Sequence, residues 1–220
     1  MGEPPRTSPA AARHDGSVPA LSTPAEASLS PSHLSPRDLD GLVEGEVRLR
    51  LPRSADVDRL TEICQDPAIQ RFTRVPWPYE HHHARAFVEA ATNAVEQGSG
   101  VPLLAVSTAD ESILGAVGLD IDPAELSAEL GYWVAPEARG RGVALRGCRL
   151  LCRLGFARLG LGHVLLQISV TNPASRRVAE RLGCTLEGRR RRGMLDGPSG
   201  DASSPRVDAE LWGLLPEELR

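Results

Sequence analysis

The sequence predicts an α/β (α+β) fold: a mixed, mostly antiparallel sheet of six to seven strands flanked by about four helices, in the order β-α-α-β-β-β-α-β-α-β-β. Three observations predict it. Three apolar or alternating runs follow one another between residues 102 and 135 with short connections, which builds an antiparallel meander. After Pro136 the apolar period changes from that of a strand to that of a helix. A cleanly alternating strand, a short capped helix and two closing strands then complete the series.

The elements follow in chain order. Residues 1–43 read as a disordered, Pro/Ser/Ala-rich tail. They hold no aromatic residue (the first is Phe72), and such a segment buries too little apolar area to offset its ordering entropy. The globular domain is expected over residues 44–220, where 177 residues suffice for a full core. Val47–Leu51 alternates as a strand. Ser54 caps a helix running to about Gln65, with Val57, Leu60, Ile63 and Cys64 on one face, and Asp66-Pro67 ends it. Arg74–Pro78 is irregular, and a second helix runs from about Glu80 to Gln97, stopped by Gly98.

The meander strands are Pro102–Ser107, Ile113–Ile121 and Leu126–Ala135, the last closed by Pro136. Ala144, Cys148, Leu151, Cys152, Gly155 and Leu159 then form one helix face, with Arg146, Arg149 and Arg153 on the other. His163–Val170 alternates as a strand. Asn172 suits an N-cap, Pro173 the first helical position and Gly183 the C-terminal stop of a short helix. The closing strands are Thr185–Arg192 and Val207–Leu214.

Composition excludes several functions. The formal net charge of -4 supplies no broad basic surface, so no nucleic-acid partner is expected. No run approaches the ~20 apolar residues of a membrane span, and no secretory leader is read at the N-terminus. Cys64, Cys148, Cys152 and Cys184 form no C-x-x-C pair; as small buried hydrophobes they fit a reducing, cytoplasmic setting and no metal. His81-His82-His83 points in three directions on a helix and cannot converge on an ion. Arg189–Arg192 reads as a solvated sheet edge, or as a contact for an acidic partner.

The chemistry centres on residues 136–144. A strand leads through Pro136–Arg141 directly into a helix, with Gly140 and Gly142 at the turn. Glycine lets backbone N–H groups converge and a ligand approach closely. A helix N-terminus adds free N–H donors and the positive end of its dipole, so the turn is suited to a phosphate group. Arg139 and Arg141 add charge. There is no G-x-x-x-x-G-K-[ST] run, and the turn follows a meander instead of opening a βαβ unit, so neither a P-loop nor a dinucleotide fold is indicated.

Arg139-x-x-Gly142-x-Ala144 resembles the R/Q-x-x-G-x-G/A motif of the GNAT family of N-acetyltransferases. Ala128–Val134, Pro136-Glu137-x-Arg139-Gly140-x-Gly142, Asn172-x-x-Ser175-x-x-Val178 and Leu182-Gly183-Cys184-x-Leu186-Glu187-Gly188 resemble its RimJ/RimL-type branch, as do Pro76-Trp77-Pro78-Tyr79 and Phe87-Val88. The likeness covers about residues 46–215. It implies a GNAT fold in which the strand ending near Ala135 and the next strand splay apart to admit acetyl-CoA. It further implies that pantetheine pairs with backbone near Trp133 and Val134, and that the pyrophosphate lies on Arg139, Gly140, Arg141, Gly142, Val143 and Ala144. Asn172 would contact the pantetheine or the thioester side. The implied reaction is direct acetyl transfer to a primary amine, on a protein N-terminus or a small amine metabolite. The protein is expected to hold no metal, to be cytoplasmic and to be a monomer or homodimer.

Such a transfer needs a proton acceptor for the amine, a donor for the carbonyl oxygen and a donor for the leaving thiolate. Many family members have a Glu five positions before the Asn and a Tyr seven after it; here these positions hold Gln167 and Ala179. Glu129 is the substitute base, or else a clamp for the substrate ammonium or a solvated strand residue. Ser175 is the substitute acid, or else satisfies the helix N-terminus. Trp77 and Tyr79 fall in the loop that walls the acceptor site in the resembled branch. An aminoglycoside-type acceptor and a non-catalytic acyl-CoA-binding module are the alternative functions.

Overall fold

The structure, a computed structural model, describes residue 34 and residues 36–39 and 41–220, so the expected tail over 1–43 lies largely outside the described residues. The expected boundary itself falls inside them. A short helix α1 (Pro36–Leu39) lies before residue 44, and a two-residue strand β1 (Val43–Glu44) straddles the boundary. Leu34 and Leu39 are buried in the core. A composition averaged over forty residues does not register two leucines that pack.

Strand β2 (Val47–Arg50) buries Val47 and Leu49 and leaves Arg48 and Arg50 half-buried. Arg50 makes a bidentate pair with Asp56 at 2.8 Å and 2.8 Å, and Arg53 N donates to the same carboxylate at 2.6 Å. This fixes the turn Ser54–Asp56 that starts α2 (Val57–Ile63). Asp66-Pro67 does end that helix, but it also begins another, α3 (Pro67–Phe72). Asp66 Oδ1 accepts from Ala68 N at 3.1 Å and Ile69 N at 3.0 Å, and Pro67 occupies the first turn, where no N–H is needed. Helix α4 (His81–Gln97) ends at Gly98, whose φ of 67° is left-handed as a glycine stop requires.

The meander is β3 (Gly100–Ser107), β4 (Ile113–Asp122) and β5 (Ser127–Val134). Helix α5 (Val143–Leu159), β6 (His163–Ser169), α6 (Pro173–Leu182), β7 (Thr185–Leu195) and β8 (Arg206–Leu214) follow. The sheet has eight strands in the order β1-β2-β3-β4-β5-β6-β8-β7, the strand beyond the expected range being the two-residue β1. Every neighbouring pair is antiparallel except β5–β6, which is parallel.

Helix α5 lies close on the sheet because two of its inward positions have no side chain. A Cβ at Gly147 would come within 2.9 Å of Val117 Cγ1, and one at Gly155 within 2.9 Å of Leu161 Cδ1. Cys148, Leu151, Cys152 and Leu159 pack on that face, while Arg149 and Arg153 on the other reach Glu44. All four cysteines are buried free thiols. Burial pushes Cys64, Cys152 and Cys184 up to about 12 and Cys148 well above its usual value, so none is a ready thiolate. No helix among the described residues is long and apolar enough to cross a membrane.

Candidate active site

The parallel pairing of β5 with β6 lasts only from Ser127–Glu129 against His163–Leu165. Strand β5 stays paired with β4 through Val134. The two central strands therefore part after Glu129, and a cleft of about 1880 Å³ opens there. Ala135 N donates to Leu114 O on the β4 side. Backbone groups alternate sides along a strand, so Trp133 also turns its N–H and C=O to β4, whereas Leu130, Tyr132 and Val134 turn theirs into the parting. Of the two strand residues expected from the sequence, Val134 thus offers backbone to a ligand. Trp133 lines the cleft, but its backbone is engaged in the sheet.

The head of the cleft is the turn before α5. Gly140 and Gly142 both have φ of 77°, a left-handed backbone that glycine adopts without strain. Among the described residues, no protein acceptor meets the backbone N–H of Gly140, Arg141, Gly142, Val143, Ala144 or Leu145; the first turn closes only with Arg146 N to Gly142 O at 3.1 Å. Unpaired backbone donors at the positive end of a helix are what an anion needs.

The two arginines of this turn are tied down from outside it. Arg139 pairs with Asp66, so the residue that caps α3 also orients the loop. Burial pushes the Asp66 carboxyl up, but Arg139 and the N–H groups of Ile69 and Ala68 outweigh it and hold it below the usual carboxylate range. Arg141 points away from the cleft lining and pairs with Glu46 at 2.6 Å, where Arg146 joins it at 3.2 Å. Hydrogen bonding from Arg141 holds Glu46 below its ordinary value.

Opposite the turn stands the N-terminus of α6. Asn172 Oδ1 accepts from Ser175 N at 3.1 Å, the expected cap, which leaves its Nδ2 without a protein acceptor among the described residues. Ser175 Oγ lies 2.7 Å from the hydroxyl of Tyr132 on β5. Ala179, where the resembled family often has a tyrosine, is fully buried and presents nothing to the cleft. Tyr132 was not singled out by sequence reasoning. The available signal was strand alternation, which sets Tyr132 on the face that α5 and α6 cover, beside Leu130.

Glu129 projects from the opposite face of β5. Its carboxylate pairs with Arg74 and accepts from Gln167 Nε2 at 3.2 Å. Gln167 Oε1 in turn accepts from Arg190 at 2.7 Å, and Arg190 also donates to Gly193 O at 2.8 Å. Arg71 holds Asp196 through two bonds of 2.6 Å and 2.8 Å, tying α3 to the end of β7 beside the same side of the cleft. That contact, against the opposing push of burial, keeps Asp196 below the usual carboxylate range.

The remaining sequence candidates separate. Tyr79 is buried and lines the cleft, with its phenol pushed up by burial and the neighbouring Cys64, whereas Trp77 is 51% exposed and lies outside the lining. His83 Nδ1 accepts from Glu80 N at 3.0 Å and closes the start of α4. His81 and His82 face Asp58 and Glu80, and no metal-binding group occurs among the described residues. Arg189–Arg192 is exposed on the edge strand β7, with Arg189 paired to Asp208 at 3.1 Å.

Comparison with known proteins places this geometry. The family model described as Acetyltransferase (GNAT) domain matches residues 46–185. YdaF of Bacillus subtilis (strain 168), provisionally named a ribosomal N-acetyltransferase, is 38% identical over 86 residues, covering 39% of this chain and 47% of that protein. The chain thus spans about half the length of that curated relative. A crystal structure of a "Probable acetyltransferase" superimposes with a TM-score of 0.70 at 26% identity, covering 80% of this chain and 96% of the other. RimL, a ribosomal L7/L12 alpha-N-protein acetyltransferase solved with coenzyme A, shares the fold with a TM-score of 0.68 at 22% identity over 79% of this chain and 96% of its own.

Proposed function

Because the chain belongs to the acetyltransferase (GNAT) domain family, we propose that it transfers the acetyl group of acetyl-CoA directly to a primary amine, with a protein N-terminus as the acceptor. The observation that carries this reading is the run of unaccepted N–H groups from Gly140 to Leu145 at the head of a parted β5–β6 edge. A pyrophosphate needs such donors, and an amide-bearing arm needs such an edge. The residues therefore fit acetyl-CoA, which would supply the activated acetyl group as a thioester.

Each residue then has a task. Gly140, Gly142, Val143 and Ala144 bind the pyrophosphate through backbone N–H groups, and Arg139, held by Asp66, adds charge at the rim. The backbone of Tyr132 and Val134 holds the arm and offers an N–H to the thioester carbonyl as it gains negative charge. Asn172 Nδ2 is a further donor, and Ser175 donates to the leaving sulfur. Glu129 takes the amine proton from the opposite side, where Arg74 and Gln167 hold its carboxylate.

Two arguments favour a protein N-terminus. An α-amino group has a pKa of about 7.7–8.0, against about 10.4 for a lysine, so it gives up its proton more readily; that suits a site that has Gln167 at the family's usual Glu position and leaves the proton to Glu129. The names of YdaF and RimL point the same way for those proteins. On the acceptor side Arg71 and Arg74 are balanced by Asp196 and Glu129, and Arg190 meets only the neutral oxygens of Gln167 and Gly193, which leaves one positive charge to disfavour a polycationic aminoglycoside. The test is a screen of peptides with free N-termini, lysine peptides, small amines and aminoglycosides, reading CoA thiol release. Peptides with free N-termini are expected to give the highest kcat/KM. Turnover confined to aminoglycosides would contradict the assignment.

A further inference from the structure

We propose that Tyr132 is a positioning residue of the transfer: its phenol donates to Ser175 Oγ and so frees the Ser175 hydrogen to point into the cleft, where the thioester end of the cosubstrate would lie. This rests on the acetyltransferase reading given above.

The contact itself is 2.7 Å between Tyr132 Oη and Ser175 Oγ, joining β5 to the first turn of α6 across the parting. Both residues line the cleft, and neither hydroxyl has another protein partner among the described residues. Either oxygen can donate, but chemistry chooses between them. A phenol, at about 10, is a far stronger acid than an aliphatic alcohol, so Tyr132 is the better donor and Ser175 the better acceptor. Burial, with Cys148 of α5 and Cys184 beyond α6 nearby, pushes the phenol further up, so it keeps its proton at neutral pH. Ser175 N is occupied by Asn172 Oδ1, which fixes where the serine sits. With one of its two lone pairs occupied by Tyr132, the serine still has its own hydrogen to donate, and its open side is the cleft.

The step balances without consuming that hydrogen. The amine nitrogen bonds to the carbonyl carbon, the C–S bond breaks, and its electron pair moves to sulfur. Ser175 stabilises that charge by a hydrogen bond, which Tyr132 strengthens by polarising the serine oxygen. The proton that finally neutralises the thiolate is the one lost by the amine. Tyr132 and Ser175 begin and end neutral. The pair thus supplies from β5 what position 179, a buried alanine, cannot supply from α6.

The experiment compares Tyr132→Phe, Ser175→Ala and the double variant in the full chain. It reads kcat, the calorimetric Kd of CoA, and the pKa of the bound CoA thiol from thiolate ultraviolet absorbance. Tyr132→Phe is expected to lower kcat about tenfold, the effect of one neutral hydrogen bond, and to raise the bound thiol's pKa by about one unit, with the Kd measured at low pH unchanged. The double variant should match Ser175→Ala. A Tyr132→Phe protein with wild-type kcat and thiol pKa, or effects that add fully in the double variant, overturns the proposal. If Tyr132→Phe does not fold, the chain's two tyrosines allow ring-carbon NMR of Tyr132 instead. Its resonance must move on Ser175→Ala and on CoA binding; a resonance that does neither refutes it. Failure of the wild-type protein to bind CoA would instead remove the acetyltransferase reading.

Discussion

Gln167 Nε2 donates to Glu129 Oε2 at 3.2 Å across the strands that part to form the cleft. The position that often holds a carboxylate base in the resembled family therefore holds an amide, and the amide orients a carboxylate on the neighbouring strand. Arg74 grips the other oxygen of the same carboxylate. Proton acceptance is thereby assigned to β5, and this leads to the first expectation. Glu129→Gln should lower kcat by about 10²-fold, the lower range for loss of a positioned base, with KM for acetyl-CoA within twofold of wild type. Steady-state kinetics with an N-terminal peptide measures it, and an unchanged kcat removes Glu129 as the base.

Gln167→Glu tests the same contact in the opposite sense. Two carboxylates at this distance resist joint ionisation, so one of them titrates higher. The acidic limb of the kcat/KM profile should move to higher pH by about one unit or more. A limb that does not move would mean that neither group at this contact takes up the amine proton.

At the head of the cleft, Gly142 sits at φ 77° with only the flexible end of Arg146 near its missing Cβ. Gly142→Ala should cost about 1–2 kcal/mol by forcing a side chain into the left-handed region. The turn can escape this cost by rotating the N–H groups away from the phosphate site. The Kd for CoA is then expected to rise about tenfold or more while the melting temperature falls only a few degrees. Calorimetry and thermal denaturation read the two effects separately.

Asp56 gives a prediction about stability. Burial pushes its carboxyl up, but hydrogen bonds from Arg50 and Arg53 N outweigh this and hold it below its ordinary value. Its folded pKa thus lies under the unfolded one of about 3.9, so the pair stabilises the protein above that pH and its contribution is lost as pH falls through the folded pKa. Asp56→Asn should cost about 2 kcal/mol at neutral pH, since Arg50, 11% exposed, would lose its bidentate carboxylate and keep only Glu111 at 3.5 Å and Leu51 O at 3.0 Å. The difference from wild type should shrink below pH ~4. Urea denaturation at the two pH values checks both statements.

Much of this molecule is legible in its sequence, for identifiable reasons. Periodicity places α4, α5 and the meander, because each is long enough for its apolar pattern to stand clear. The turn before α5 is visible because Gly140 and Gly142 mark a backbone that other residues avoid. Helix α3 is hidden because Asp66-Pro67 ends one helix and starts another with the same two residues. The contacts of the site are harder to read. Gln167 meets Glu129 only through the register of a parallel pair, and Tyr132 meets Ser175 only because α6 folds back over β5. Residues 38 and 43 positions apart carry no local pattern that announces such meetings.

The proposed site requires above all that the unaccepted N–H groups from Gly140 to Leu145 and the free edge of β5 receive acetyl-CoA. Calorimetric titration of the full chain with acetyl-CoA tests this most directly. A saturable one-to-one isotherm with a Kd in the micromolar range, weakened by Gly142→Ala, is the predicted result. No heat of binding up to high micromolar acetyl-CoA would contradict it.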